Sequence, residues 1–167
     1  MKIQDLFEGT KVRGSYIGVH YSKESVNRLN KFAKSLKIDD IIDKDKYHST
    51  IIYSTKPLPK AFKAIGKYKD PIIVQPKRLD IFDTDDGGVL VLKLDAPELV
   101  KRHKLLMKEY DLKFDYPNFT PHITLCYKLP DNYKLDKTID LSSLKDLEVT
   151  EEYLTQLEKN WTDDEYD

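Results

Sequence analysis

The sequence predicts an α+β fold of two similar lobes, and three observations predict it. Apolar residues switch along the chain between a period of two and a period near 3.6, so strands and helices alternate. Two strand-like stretches, YHSTIIY at 47–53 and PHITLCY at 121–127, share the pattern His-x-Thr-apolar closed by tyrosine. Each follows a helical segment, and no low-complexity linker separates the two halves. A length of 167 residues suits a single domain over 1–167, with the acidic end TDDEYD at 162–167 expected to fray.

The elements follow in order. SYIGVHY at 15–21 is rich in β-branched and aromatic residues and reads as a strand. In the next segment Ser22 can cap a helix that carries Val26, Leu29, Phe32, Ala33 and Leu36 at helical spacing. YHSTIIY is a strand, and PKAFKAIGKY after Pro57 and Pro59 predicts a short helix ending near Gly66. PIIVQPKRLDIFD and GGVLVLKLD form a hairpin around TDDGG, whose Asp86, Gly87 and Gly88 supply turn chemistry. APELVKRHKLLMKEY at 96–110 places Leu99, Val100, His103, Leu106, Met107 and Tyr110 on one helical stripe. PHITLCY is the next strand, and LEVTEEYLTQL at 147–157 reads as a less protected one with Leu147, Val149, Glu151 and Tyr153 on a shared face. The predicted order is β-α-β-α-β-β-α-β-β.

Composition narrows the function. With 28 basic and 29 acidic side chains the net charge is −1, so the chain lacks the positive field expected of a binder of long nucleic acid. A small anionic ligand remains compatible, because a few local donors suffice for it. A single cysteine, Cys126, excludes a cysteine-rich zinc module and agrees with a reducing compartment. No segment approaches the roughly 18 apolar residues of a membrane span, and the expectation is a cytosolic protein with no membrane partner.

Alternation along a strand puts His48 and Thr50 on one face, and His122 and Thr124 on one face. Ser49, Ile51 and Tyr53, like Ile123, Leu125 and Tyr127, are then expected toward the core, and Cys126 on the histidine side, where it has no evident role. Two such strands side by side would gather two imidazoles and two hydroxyls in a groove between the lobes. That set suits phosphodiester transfer. A neutral imidazole takes a proton from the nucleophile and a protonated one gives a proton to the departing oxygen. Threonine hydroxyls can donate to phosphate oxygens as charge develops on them. The chemistry requires no metal and no cofactor. One copy of His-x-Thr would be weak evidence, since a strand histidine is more often structural; two copies in matching contexts favour catalysis. His20 and His103 carry no such repetition and read as structural, the latter as a hydrogen-bonded core or boundary residue. Gly18 either leaves room for a ligand or marks a bulge.

YHSTI at 47–51 and PHITL at 121–125 resemble the paired motifs of the 2H phosphoesterases, a superfamily with two His-x-Thr/Ser motifs in a bilobal α+β fold. Within it the chain is most similar to the phage anti-CBASS phosphodiesterases, through its size, the opening SYIGVHYS and the closing EEYLTQLEKNW. The resemblance implies His48 and His122 as the acid-base pair and Thr50 and Thr124 as phosphate donors. It also implies Tyr16 and Trp161 as substrate-binding aromatics and a C-terminal glutamate, with Glu152 favoured over Glu151 and Glu158. Aromatic faces at these places would stack on bases, although Tyr16 equally suits a strand core. The implied substrate is a 3′–5′-linked cyclic di- or trinucleotide such as 3′3′-cGAMP, opened without metal to a linear product. Two alternatives use the same residues: action on 2′,3′-cyclic phosphates or 2′,5′-linked RNA ends, and sequestration of a nucleotide messenger without turnover. The sequence leaves oligomeric state open.

Overall fold

The computed structural model describes residues 12–112 and 118–159. Six strands and two α-helices appear in the order β1 (Val12–Tyr21), α1 (Lys23–Ser35), β2 (His48–Ser54), β3 (Gly66–Thr84), β4 (Gly87–Asp95), α2 (Pro97–Tyr110), β5 (His122–Cys126) and β6 (Leu147–Lys159). The strands form an antiparallel sheet in the order β2-β1-β6-β3-β4-β5. That order is a palindrome of roles. Each outer strand carries a His-x-Thr motif, each next strand leads into a helix, and the two long strands β6 and β3 sit at the centre.

Local chemistry accounts for the helix ends. The Ser22 hydroxyl accepts the Ser25 N–H at 3.1 Å and starts α1, which buries Leu29, Phe32 and Ala33. In α2, Pro97 occupies the first turn, where a missing N–H costs nothing. Asp111 closes α2 in the left-handed region, at φ 48°. Gly87, at φ +114°, closes the β3–β4 hairpin, where the Thr84 hydroxyl donates to the Gly87 carbonyl at 2.7 Å.

Two expectations fail here. The helix predicted over PKAFKAIGKY is absent: the segment makes one turn, with Phe62 N–H on the Pro59 carbonyl at 2.9 Å, and runs extended into β3. One of its backbone donors is used elsewhere. Ile65 N–H bonds a Glu152 oxygen at 2.9 Å, and just before the segment Leu58 N–H bonds the Ser15 hydroxyl at 2.8 Å. Gly66, at φ +74°, is a left-handed residue as a helix end would need, but it turns the chain into a strand instead.

The second correction concerns β6, which is central rather than less protected, paired with β1 on one side and β3 on the other. A bulge explains why its pattern misled. Tyr21 pairs with Val149 but His20 with Glu151, so Thr150 is an extra residue and the inward face changes from odd to even positions. Leu147 and Val149 are buried before it, and Glu152 after it.

Among the described residues the core runs beneath both lobes, with Ile17, Val19, Leu29, Ile51 and Ile52 in one half and Leu90, Leu92, Leu99, Ile123 and Leu125 in the other. The Ser49 hydroxyl donates to the His122 carbonyl at 2.7 Å, so the two outer strands of the sheet meet and the two motifs lie together. No described helix is long and apolar enough to cross a membrane.

Candidate active site

The two motif strands repeat one local construction. Gly18 pairs with Thr50 but Ile17 with Ile52, which makes Ile51 a bulge residue. Val91 pairs with Thr124 but Leu90 with Cys126, which makes Leu125 a bulge residue. Both strands therefore run histidine half-buried, next residue buried, threonine half-buried, then two consecutive buried residues. The bulge immediately after each threonine corrects three sequence expectations. Cys126 turns into the core instead of sharing the histidine face. Tyr53, paired with Tyr16, lies against its ring at 6.3 Å on the histidine side. Tyr127 is 41% exposed rather than buried in the core.

Each histidine is oriented the same way. His48 Nδ1 donates to the Lys46 carbonyl and His122 Nδ1 to the Thr120 carbonyl, both at 2.8 Å and both two residues back. A carbonyl can only accept, so Nδ1 holds a proton in both rings and Nε2 is left to take or give one. The structure brings His48 close enough for its charge to act on His122. Burial, foremost, and then the charges of His48 and Lys93 hold the His122 pKa below the usual histidine value, outweighing its bond to Thr120.

The surroundings of the two histidines differ. On the His48 side, the Tyr16 hydroxyl lies 2.9 Å from Thr50 Oγ1, and its ring meets His48 edge-on at 6.1 Å. Burial first, and then the neighbouring Tyr153, push the Tyr16 phenol far up its pKa scale, so it stays a neutral hydroxyl. Tyr153 lies across Gly18, where an added Cβ would fall 2.6 Å from the Tyr153 hydroxyl. Gly18 is thus a close-approach glycine. His20, the cross-strand partner of His48, stacks on Tyr153 at 4.2 Å and donates to Glu151 at 3.1 Å.

On the His122 side the cross-strand partner is Lys93, whose ammonium reaches Asp80 at 2.7 Å and lies 5.6 Å from the Phe82 ring centre. Phe82 itself meets His122 edge-on at 5.0 Å. His20 with Glu151 and Tyr153, and Lys93 with Asp80 and Phe82, are therefore counterparts: a basic residue beside each motif histidine, paired with a carboxylate and set against an aromatic ring. Sequence reasoning missed Lys93, Tyr153 and Phe82 and ranked Glu151 below Glu152, because only cross-strand register reveals them.

Glu152 is the corrected site residue. It is 1% exposed on the opposite side of β6, where it accepts two bonds from Arg102 at 2.9 Å each and one from Ile65 N–H. It anchors α2 to the sheet, and Glu151 is the glutamate that shares the histidine face. Trp161 and Glu158 lie outside the residues whose side chains are described. Among the described residues no cluster of three or more His, Cys, Asp or Glu could hold a metal ion.

Comparison with known proteins fits this geometry. The family described as Anti-CBASS protein Acb1 matches residues 13–164. The chain is 27% identical to the Anti-CBASS protein Acb1 of Vibrio phage KVP40 over 96% of its own length and 97% of the relative's. It is 29% identical to that of Enterobacteria phage T4, over 90% and 93%. Among solved structures it resembles E. coli LigT complexed with phosphate, at a TM-score of 0.57 and 15% identity over 88% of each chain. LigT complexed with 3′-AMP aligns with a TM-score of 0.55 at 14% identity, again over 88% of each. At that identity the likeness speaks for the fold, that of the 2H phosphoesterases. The chain belongs to the anti-CBASS protein Acb1 family.

Proposed function

We propose that His48 and His122 are the acid-base pair of a metal-independent reaction that opens 3′–5′-linked cyclic di- and trinucleotides such as 3′3′-cGAMP. The family and the 2H fold make the chain a cyclic-nucleotide phosphodiesterase that counters CBASS. The observation that carries the finer reading is the matched orientation of the two rings, each with Nδ1 held by a carbonyl two residues back.

In the reaction the ribose 2′-hydroxyl attacks its adjacent phosphorus while the P–O5′ bond breaks. One imidazole Nε2 takes the 2′-hydroxyl proton and the other delivers a proton to the departing O5′. The products are a linear chain with a free 5′-hydroxyl and a 2′,3′-cyclic phosphate, which water can open in a second step. His122 is the base, because burial and the Lys93 ammonium favour its neutral form, and the donor's role falls to His48. Thr50 and Thr124 donate to the non-bridging oxygens as negative charge grows there. Tyr16 and Trp161 bind the bases, and stacking of this kind is worth about 1 to 3 kcal/mol per base. The protein acts on this substrate in the cytosol of the infected cell.

The test is incubation of purified protein with 3′3′-cGAMP in excess EDTA, followed by separation of the products. The reading predicts a linear dinucleotide. Intact ligand recovered after denaturing the protein would instead support a sponge, and cleavage confined to 2′,3′-cyclic phosphates would move the substrate to RNA ends.

A further inference from the structure

We propose that His103 on α2 is a positioning residue that holds the two His-x-Thr strands in working register, one through a ring nitrogen and the other through the ring face. The inference rests on the acid-base reading above and extends it to a residue outside the two motifs.

The bulges show why such a residue is needed. A bulge removes a residue from ladder pairing and leaves its carbonyl in want of a donor. At Leu125 the backbone answers: the Ile42 N–H bonds its carbonyl at 2.9 Å. At Ile51 the donor is a side chain, His103 Nδ1, at 2.7 Å. Ile51 directly follows Thr50, so this bond fixes the backbone that aims the Thr50 hydroxyl. The other motif is reached through Phe119, on which the His103 ring stacks at 4.1 Å and 8°. Phe119 immediately precedes Thr120, whose carbonyl orients His122. Pro121 is held in turn, its carbonyl accepting Leu94 N–H at 3.0 Å. One imidazole on a rigid helix thus touches the residue after one catalytic threonine and the segment that delivers the other catalytic histidine. His103 is 8% exposed and does not itself face the substrate.

Its two contacts can be separated. His103→Phe keeps a ring against Phe119 and removes the donor; His103→Asn keeps an amide donor near the Nδ1 position and removes the ring. His103→Met, lacking both, stands in should the phenylalanine variant fail to fold. Turnover of 3′3′-cGAMP, its KM, and the 15N shifts of the His122 ring are measured for each, alone and combined with Thr50→Ala. Displacement of a catalytic group by a fraction of an ångström costs on the order of tenfold. His103→Phe should therefore lower kcat about tenfold with KM within about twofold, and add less than about twofold once Thr50 is already alanine. His103→Asn should instead lower kcat in both backgrounds and disturb the Nδ1–H tautomer of His122; His103→Met should show both losses.

A loss for His103→Phe that multiplies in full with that of Thr50→Ala would overturn the proposal, as would wild-type turnover in both single variants. Should His48→Ala and His122→Ala turn over normally, the acid-base reading itself fails; should they be inactive while His103 variants are unaffected, only the positioning role fails.

Discussion

The lobe of His48 and the lobe of His122 share a scaffold and differ in charge. Both put a histidine at the head of a short outer strand, bond its Nδ1 to a carbonyl two residues back, and bulge after the threonine. Their cross-strand neighbours diverge. His48 faces His20, which is paired with Glu151, whereas His122 faces the Lys93 ammonium, which is paired with Asp80. Repetition of backbone supplies two equivalent imidazoles, and the neighbours make them unequal. Phosphodiester transfer needs that inequality, since one ring must begin neutral and the other charged.

The largest effect should come from the rings themselves. His48→Ala and His122→Ala should each reduce kcat by about 10² to 10⁴ while circular dichroism and ligand affinity stay near wild type. Near-full turnover in either would break the pairing. Next is the bond that ties α2 to β6 beneath both lobes. Glu152→Gln leaves Arg102 without its buried carboxylate and should cost about 3 kcal/mol in denaturant unfolding, with the folded fraction retaining its KM. A raised KM without loss of stability would return Glu152 to the substrate.

Gly18 separates the lobes sterically, because its counterpart opposite Thr124 is Val91 while it must itself pass Tyr153. Gly18→Ala should displace the Tyr153 hydroxyl and the Tyr16 ring, whose edge lies 2.8 Å from the added Cβ, and raise KM on the order of tenfold, the loss expected for the base stacked on Tyr16. The smallest effect is on pH. A base must be unprotonated, so activity rises with pH through its pKa, and the depressed value at His122 places that rise below the usual 6.5. Lys93→Met removes the neighbouring cation and leaves Asp80 unpaired near Arg78, with His48 as the remaining group acting on His122. Loss of the Lys93 charge raises the His122 pKa, so the acidic limb of kcat/KM should move to higher pH. A limb that stayed in place would detach Lys93 from the base.

The motifs were legible in the sequence because they depend on nearest neighbours: His-x-Thr sets its own strand parity, and the helices before it announce themselves by spacing and by Ser22 and Pro97. What escaped reading depends on bulges and on residues far apart in the chain. Thr150 shifts the face of β6, hiding Glu152 and presenting Glu151. Ile51 and Leu125 likewise reverse Tyr53, Cys126 and Tyr127. Lys93 and His20 acquire meaning only through register with His122 and His48. The missing helix over PKAFKAIGKY had the right residues for one turn, but its Ile65 N–H is claimed by Glu152 and the Leu58 N–H just before it by Ser15, which periodicity cannot see.

The inequality of the two lobes is tested most directly with a cyclic dinucleotide whose bridging O5′ is replaced by sulfur. Thiolate departs without a proton, so the substrate dispenses with the acid and not with the base. His48→Ala should recover turnover of this substrate to near the wild-type rate, and His122→Ala should remain as impaired as it is on the oxygen substrate. Recovery in His122→Ala and not in His48→Ala would contradict the assignment.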